Sequence, residues 1–132
     1  MALIVADSDV LIEYLRNRSP VADQVRRAIE RGRLATTAIS AYELTLGART
    51  ERQLKQVERL LRVLGVRSFD YKAGEVSGNL YRVLQQRGVS VPFADFLIAG
   101  IRIASGLPLW TRNLSDYERI PGLTFSHATE AT

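Results

Sequence analysis

Short runs of strand character alternate with helical patterns along the whole of this 132-residue chain. Leu3–Ala6 is a continuous apolar run, as expected of a strand buried on both faces. Leu34–Ile39, Val66–Phe69 and Leu107–Trp110 read as three further strands, and Leu123–Phe125 as a short edge strand. Between them, Ser8-Asp9 starts a helix through Val10, Leu11, Ile12 and Leu15, since Ser and Asp accept from the free amides of a first turn. Pro20 suits the first turn of a second helix, with Val21, Val25, Ala28 and Ile29 on one face and Gly32 as its stop. Ser40-x-x-Glu43 has capping-box spacing and opens a third. Residues 51–64 carry Leu54, Val57, Leu61 and Leu64 on one face and Arg52, Lys55, Arg59 and Arg62 on another. Helices over 71–87 and Asp95–Ala104 follow, stopped by Gly88 and Gly106. Alternating strands and helices predict an α/β fold with a parallel sheet, helices on both faces and right-handed crossovers.

Composition narrows the chemistry. Cysteine is absent and there is one histidine, His127, which excludes disulfides, cysteine–zinc sites and a histidine-rich metal site. Any bound metal would have mostly oxygen ligands, which favours Mg²⁺ or Mn²⁺. No apolar stretch reaches the roughly 18 residues of a membrane span, and Leu3–Ala6 has no basic lead of an export signal, so a cytoplasmic protein without membrane partners is expected. The net charge of +4 points to a polyanion, or equally to plain solubility.

Three acids sit where a parallel sheet would gather them. Asp7 ends the first apolar run, Glu43 follows the second strand, and Asp95 opens the apolar helix. Functional groups collect beyond the carboxyl ends of strands in such sheets. Converging acids without basic partners repel one another and suit metal or proton chemistry. Each acid also has a structural explanation. Glu43 fits position N3 of a capping box, and Asp95 is favoured by a helix dipole. Ser8 or Asp9 can cap the first helix, which leaves Asp7 free for other work. Asn113 and Asp116, after the fourth strand, are ordinary turn residues when taken alone.

Together these segments resemble a known family. Asp7-Ser8-Asp9-Val10-Leu11-Ile12, then Ser40-x-x-Glu43-Leu44, Asp95-Phe96-Leu97-Ile98-Ala99 and Thr111-Arg112-Asn113-x-x-Asp116-Tyr117-Glu118-Arg119-Ile120-Pro121-Gly122-Leu123 are similar to the PIN domain, and more narrowly to VapC-type ribonuclease toxins. The resemblance covers about residues 3–125, and the last motif is its most specific part. It implies a single PIN domain over 1–132, with a three-layer α/β/α fold around a short parallel sheet of four to five strands. It implies a quartet of Asp7, Glu43, Asp95 and Asp116 holding Mg²⁺ or Mn²⁺, with Ser8 and Asn113 at the edge. Asn113 stands where some members carry Asp, so the fourth place is shared between Asn113 and Asp116. It also implies RNA hydrolysis, a cognate VapB-type antitoxin and a homodimer.

RNA approaching an acidic cleft needs basic residues at its border, and Arg16, Arg18, Arg49, Arg112 and Arg119 are the candidates. The Arg52–Arg62 stripe is a second possible phosphate track, or a solvated helix face. The apolar face of 51–64 is a candidate dimer interface or core. A haloacid-dehalogenase-type phosphatase would also begin Asp-x-Asp, but needs a late Lys, and Lys55 and Lys72 are the only lysines. A receiver domain would use an acid such as Asp70 together with a Lys after the last strand, which is missing. A non-catalytic binding module of the same fold would be free to lose acids that this chain keeps.

Overall fold

In the computed structural model, which describes residues 3–125, strand β1 (Ile4–Ala6) is buried throughout and sends its side chains alternately into two apolar cores. Ile4 and Ala6 join Val10, Leu11, Val25, Leu44, Leu60 and Trp110 in one; Val5 joins Leu84, Phe96, Ile98, Leu109 and Tyr117 in the other. This period of two in a strand buried on both faces is what a sheet between two helical layers requires. The helices are α1 (Ser8–Leu15), α2 (Val21–Glu30), α3 (Ala38–Gly47), α4 (Glu51–Leu64), α5 (Tyr71–Gln86), α6 (Phe93–Ser105) and the short α7 (Leu114–Tyr117). Residues of α1, α2 and α4 line the first core; those of α5 and α6 line the second. The result is the three-layer α/β/α architecture.

The sheet holds β1, β2 (Leu34–Thr37), β3 (Val66–Arg67) and β4 (Leu109–Trp110) in the order β3-β2-β1-β4, all parallel. Val5 is in register with Ala35 on one side and Leu109 on the other. The chain builds outward from β1 to β3, then returns to lay β4 on the free side of β1. That reversal makes a topological switch point between β1 and β4, where open α/β sheets form their binding crevice. Asp7 and Thr111 are the first residues after β1 and β4, so the crevice opens on both.

Several expectations need correction. Strand β2 ends at Thr37 rather than Ile39, because Thr37 has extended backbone (φ −113°, ψ 160°) and its side chain accepts from the Ser40 amide at 3.0 Å. Thr37 is therefore the N-cap of α3. Ser40 sits at N3, and Glu43 is not the N3 acid of a capping box. Strand β3 keeps only two exposed residues, and Leu123–Phe125 reduces to a single bridge between Leu109 and Phe125. Helix α6 begins two residues before Asp95 and contains a buried arginine, Arg102, whose Nη2 donates to Thr124 Oγ1 at 3.1 Å; it is not apolar all round. On α4, Val57, Leu60 and Leu64 are buried in the first core, which fits the core alternative for this face. Asp70 is the N-cap of α5, accepting from the Ala73 amide. Helix α7 stands where turn residues were expected. His127 lies outside the described residues. Among the described residues no helix is long and apolar enough to cross a membrane.

Candidate active site

Asp7 leaves β1 and caps α1 itself: its backbone is extended (φ −75°, ψ 162°) and its Oδ1 accepts from the Ser8 amide at 2.8 Å. Neither Ser8 nor Asp9 takes the cap, because the helix starts directly at Ser8. The Asp7 carboxylate is buried, and three hydroxyls also converge on it. Ser40 Oγ lies 3.5 Å from Oδ1, while Thr111 Oγ1 at 3.1 Å and Tyr117 Oη at 3.0 Å share Oδ2. Four donors thus surround a group with about four acceptor sites.

Two of these hydroxyls reach a second acid. Thr111 Oγ1 is also 3.3 Å from Asp9 Oδ2, and Tyr117 Oη is 3.1 Å from Asp95 Oδ1. Asp9 Oδ2 accepts in addition from the Arg112 amide at 3.0 Å, and Asp9 Oδ1 is buried with no partner among the described residues. Ser8 Oγ donates to Glu43 Oε1 at 3.1 Å. The structure thus links Asp7 to Asp95 through Tyr117 and to Asp9 through Thr111, with Glu43 held alongside by Ser8.

The electrostatics match this crowding. Burial raises the Asp7 carboxyl above its ordinary range, against the opposing pull of its hydrogen bonds. Burial raises Asp9, with the Asp7 charge adding to it. Burial also raises Glu43, opposed by the Ser8 bond and helped by the charges of Asp7 and Asp9. Asp95 is pushed up to about 6, by burial first and then by the charges of Asp7, Asp116 and Glu43, with the Tyr117 bond opposing. The Tyr117 phenol is raised by burial and by the two carboxylates it touches, and so stays protonated. Among the described residues no Lys or Arg pairs with any of these acids; the ion pairs run Arg18–Glu13, Arg26–Asp23, Lys72–Glu75 and Arg112–Glu13.

Asp116 lies in α7, half-buried, near enough for its charge to act on Asp95. Asn113 precedes α7; its backbone amide donates to Thr111 Oγ1 at 3.1 Å, and its side chain makes no capping bond. Of the five border arginines, Arg16, Arg18, Arg49, Arg112 and Arg119 are all exposed. Arg18 and Arg112 are nonetheless engaged, both on Glu13 Oε1, at 3.5 and 3.1 Å. That pairing and the Arg112–Asp9 bond tie α1 to the loop after β4.

Ser40, read as a helix start, and Thr111 and Tyr117, read as parts of the last motif, carry no sign in the sequence of reaching Asp7, and Glu13 carries none of holding two arginines. Thr111 and Tyr117 lie inside the motif around Asp116, but they are 104 and 110 residues from Asp7 in the chain. Only the pairing of β4 with β1 brings them to it.

A hard divalent cation is chemically suited to this all-oxygen set, and the unpartnered Asp9 Oδ1 is a donor site in waiting. The side chains as they stand form no coordination cage, however. Among the described residues no three Asp, Glu, His or Cys side chains stand where together they could hold one ion. The expectation that all four acids fall within reach of one ion is therefore not met by these rotamers. Hydroxyl tethers hold Asp7, Asp9 and Asp95 near enough for their charges to act on one another.

The fold has known counterparts. A family model described as PIN domain matches residues 4–123. The tRNA(fMet)-specific endonuclease VapC of Salmonella typhimurium is 31% identical over 127 residues, spanning 93% of this chain and 96% of that protein. Ribonuclease VapC1 of Methanocaldococcus jannaschii is 29% identical over 117 residues, spanning 89% and 80%. Among solved structures, DNA-bound VapBC from Salmonella typhimurium superposes with a TM-score of 0.86 at 28% identity, covering 97% of this chain and 99% of that one. VapBC2 from Rickettsia felis, bound to a promoter DNA fragment, shares the fold with a TM-score of 0.84 at 22% identity, covering 94% and 97%. With its carboxylates gathered at the β1–β4 switch point, this chain belongs to the PIN-domain family, on its VapC branch.

Proposed function

We propose that residues 1–132 act as one PIN domain, an endoribonuclease toxin that hydrolyses RNA phosphodiester bonds and is neutralised by a VapB-type antitoxin. The observation that carries this reading is the unpaired carboxylate cluster of Asp7, Glu43, Asp95 and Asp116, with Asp9 beside it, at the switch point of a VapC-family sheet. A binding module would gain nothing from holding mutually repelling acids in a half-buried crevice. A phosphatase of the Asp-x-Asp kind lacks its lysine here.

Asp7, Glu43, Asp95 and Asp116 are the residues that would hold Mg²⁺ or Mn²⁺, which when bound supplies hydroxide near neutral pH and offsets charge on the phosphoryl oxygens. The chain's own part is orientation. Ser40, Thr111 and Tyr117 aim the Asp7 and Asp95 carboxylates, and Ser8 aims Glu43. Exposed Arg16, Arg49 and Arg119, which form no ion pair among the described residues, would meet the phosphate backbone, while Arg18 and Arg112 must first leave Glu13. Raised acid pKa values favour a site that stays incomplete until a cation arrives.

An RNA substrate inside the cell suits a cytoplasmic protein, and an uncontrolled nuclease needs an inhibitor bound in trans. Two solved relatives are VapBC complexes, which supports the antitoxin partner; a homodimer is the expected assembly. The tRNA(fMet) named for the Salmonella relative is the first substrate to offer. The test is incubation of the purified protein with total RNA and tRNA(fMet), with Mg²⁺ or Mn²⁺ and with chelator, beside Asp7→Ala and Asp95→Ala. Cleavage should require the cation and vanish in both variants; cleavage that survives chelator and both substitutions sinks the mechanism.

A further inference from the structure

Tyr117 offers a single hydroxyl to two carboxylates, 3.0 Å from Asp7 Oδ2 and 3.1 Å from Asp95 Oδ1. Its ring is buried in the second core with Phe96, Ile98, Leu109 and Ile120. Phenylalanine would fill the same apolar space, and a buried hydroxyl costs free energy unless it is bonded. The oxygen is thus explained by the acids and not by the packing. A phenol has one proton, so it donates to Asp7 or to Asp95 at any moment. Thr111 makes the matching choice on the other side, between Asp7 and Asp9. Asp7 Oδ2 is therefore the shared acceptor of two hydroxyls, each with an alternative acid in reach. Both can turn away from Asp7 by rotating about a C–O bond, without moving a heavy atom.

We propose that Tyr117 is a positioning residue: its hydroxyl sets the spacing of Asp7 and Asp95 and, by turning its proton to Asp95, releases Asp7 Oδ2 for a divalent cation. This rests on the cation-dependent nuclease reading above. It separates the hydroxyl from the ring, because only the hydroxyl reaches the acids.

The test is Tyr117→Phe beside the wild type, with Mn²⁺ binding measured by electron paramagnetic resonance in the absence of RNA, and folding followed by circular dichroism. Groups that orient metal ligands are worth about tenfold or more in metal affinity, so the Mn²⁺ dissociation constant should rise by at least about tenfold in the folded variant. RNA cleavage should fall at low Mn²⁺ and recover at saturating Mn²⁺, with KM for RNA unchanged. Equal Mn²⁺ affinity in the two proteins overturns the proposal, as does a wild type that binds no Mn²⁺. A wild type that binds Mn²⁺ but cuts no RNA defeats the nuclease reading and leaves the positioning role standing. Should Tyr117→Phe fail to fold, the ¹³Cζ resonance of the buried tyrosine in the wild type decides: it shifts when Mg²⁺ is added, and a resonance that stays in place overturns the proposal.

Discussion

Asp95 shows how one residue can oppose the fold that carries it. Its carboxyl, half-buried and surrounded by the charges of Asp7, Asp116 and Glu43, titrates at about 6 instead of 3.8. A folded-state pKa above the unfolded value means that the native protein binds the extra proton between about pH 4 and about 6. Stability is then greatest at the acid end and falls as pH climbs through that window. Asp7, Asp9 and Glu43 shift in the same direction. The cation-free protein should therefore melt a few degrees higher at pH 5 than at pH 7, and millimolar Mg²⁺ at pH 7 should close the gap. Differential scanning fluorimetry with chelator and with Mg²⁺ measures both; a profile that rises toward pH 7 without cation contradicts the picture. The acids themselves were legible in the sequence from their places at strand and helix ends. Their tethers were not, because a hydroxyl from Ser40, Thr111 or Tyr117 carries no local signal of what it will meet across the sheet.

At the scale of elements, α5 and α6 come close enough at Gly100 to leave no room for a side chain. A Cβ on Gly100 would overlap Ser77 Oγ and come within 2.6 Å of the Ala73 carbonyl oxygen, and Ser77 Oγ itself donates to the Phe96 carbonyl across the same contact. Gly100→Ala should destabilise by about 1–3 kcal/mol through overpacking, although alanine is the better helix former. Gly78, also within α5, has nothing within 4 Å of its missing Cβ, so Gly78→Ala should stabilise by about 1 kcal/mol. Urea denaturation of the two variants separates these opposite signs; equal shifts would contradict the packing. The glycines that end α4, α5 and α6 were legible, since Gly65, Gly88 and Gly106 take φ of 74°, 70° and 73°, a region that favours glycine. The start of α3 was not. Thr37 and Ser40 are both good caps three residues apart, and the choice depends on where β2 leaves the sheet. Helix α7 is four residues long, too short to show a periodic pattern.

At the scale of the whole molecule, the strand order β3-β2-β1-β4 does the decisive work. Alternating strands and helices declared a parallel sheet, but the order of its strands could not be read from a pattern that is the same for every crossover. Placing β4 beside β1 brings residues 111–117 to Asp7 and makes the crevice. If the exposed arginines border that crevice as proposed, they and the net charge of +4 should give RNA binding that weakens steeply with salt. Filter binding with a catalytically impaired variant between 50 and 200 mM salt, roughly the range over which such contacts are screened, would show it; a flat response would remove the arginines from the RNA path. The most direct test of the catalytic centre is Asp95→Asn, which keeps an acceptor for Tyr117 and removes a charge. Cleavage of RNA with saturating Mn²⁺ should drop by more than about a hundredfold, since loss of even an orienting group costs 10–100-fold. The same variant should melt higher than wild type without cation. A variant that still cuts RNA at the wild-type rate would contradict the assignment of this pocket as the catalytic centre.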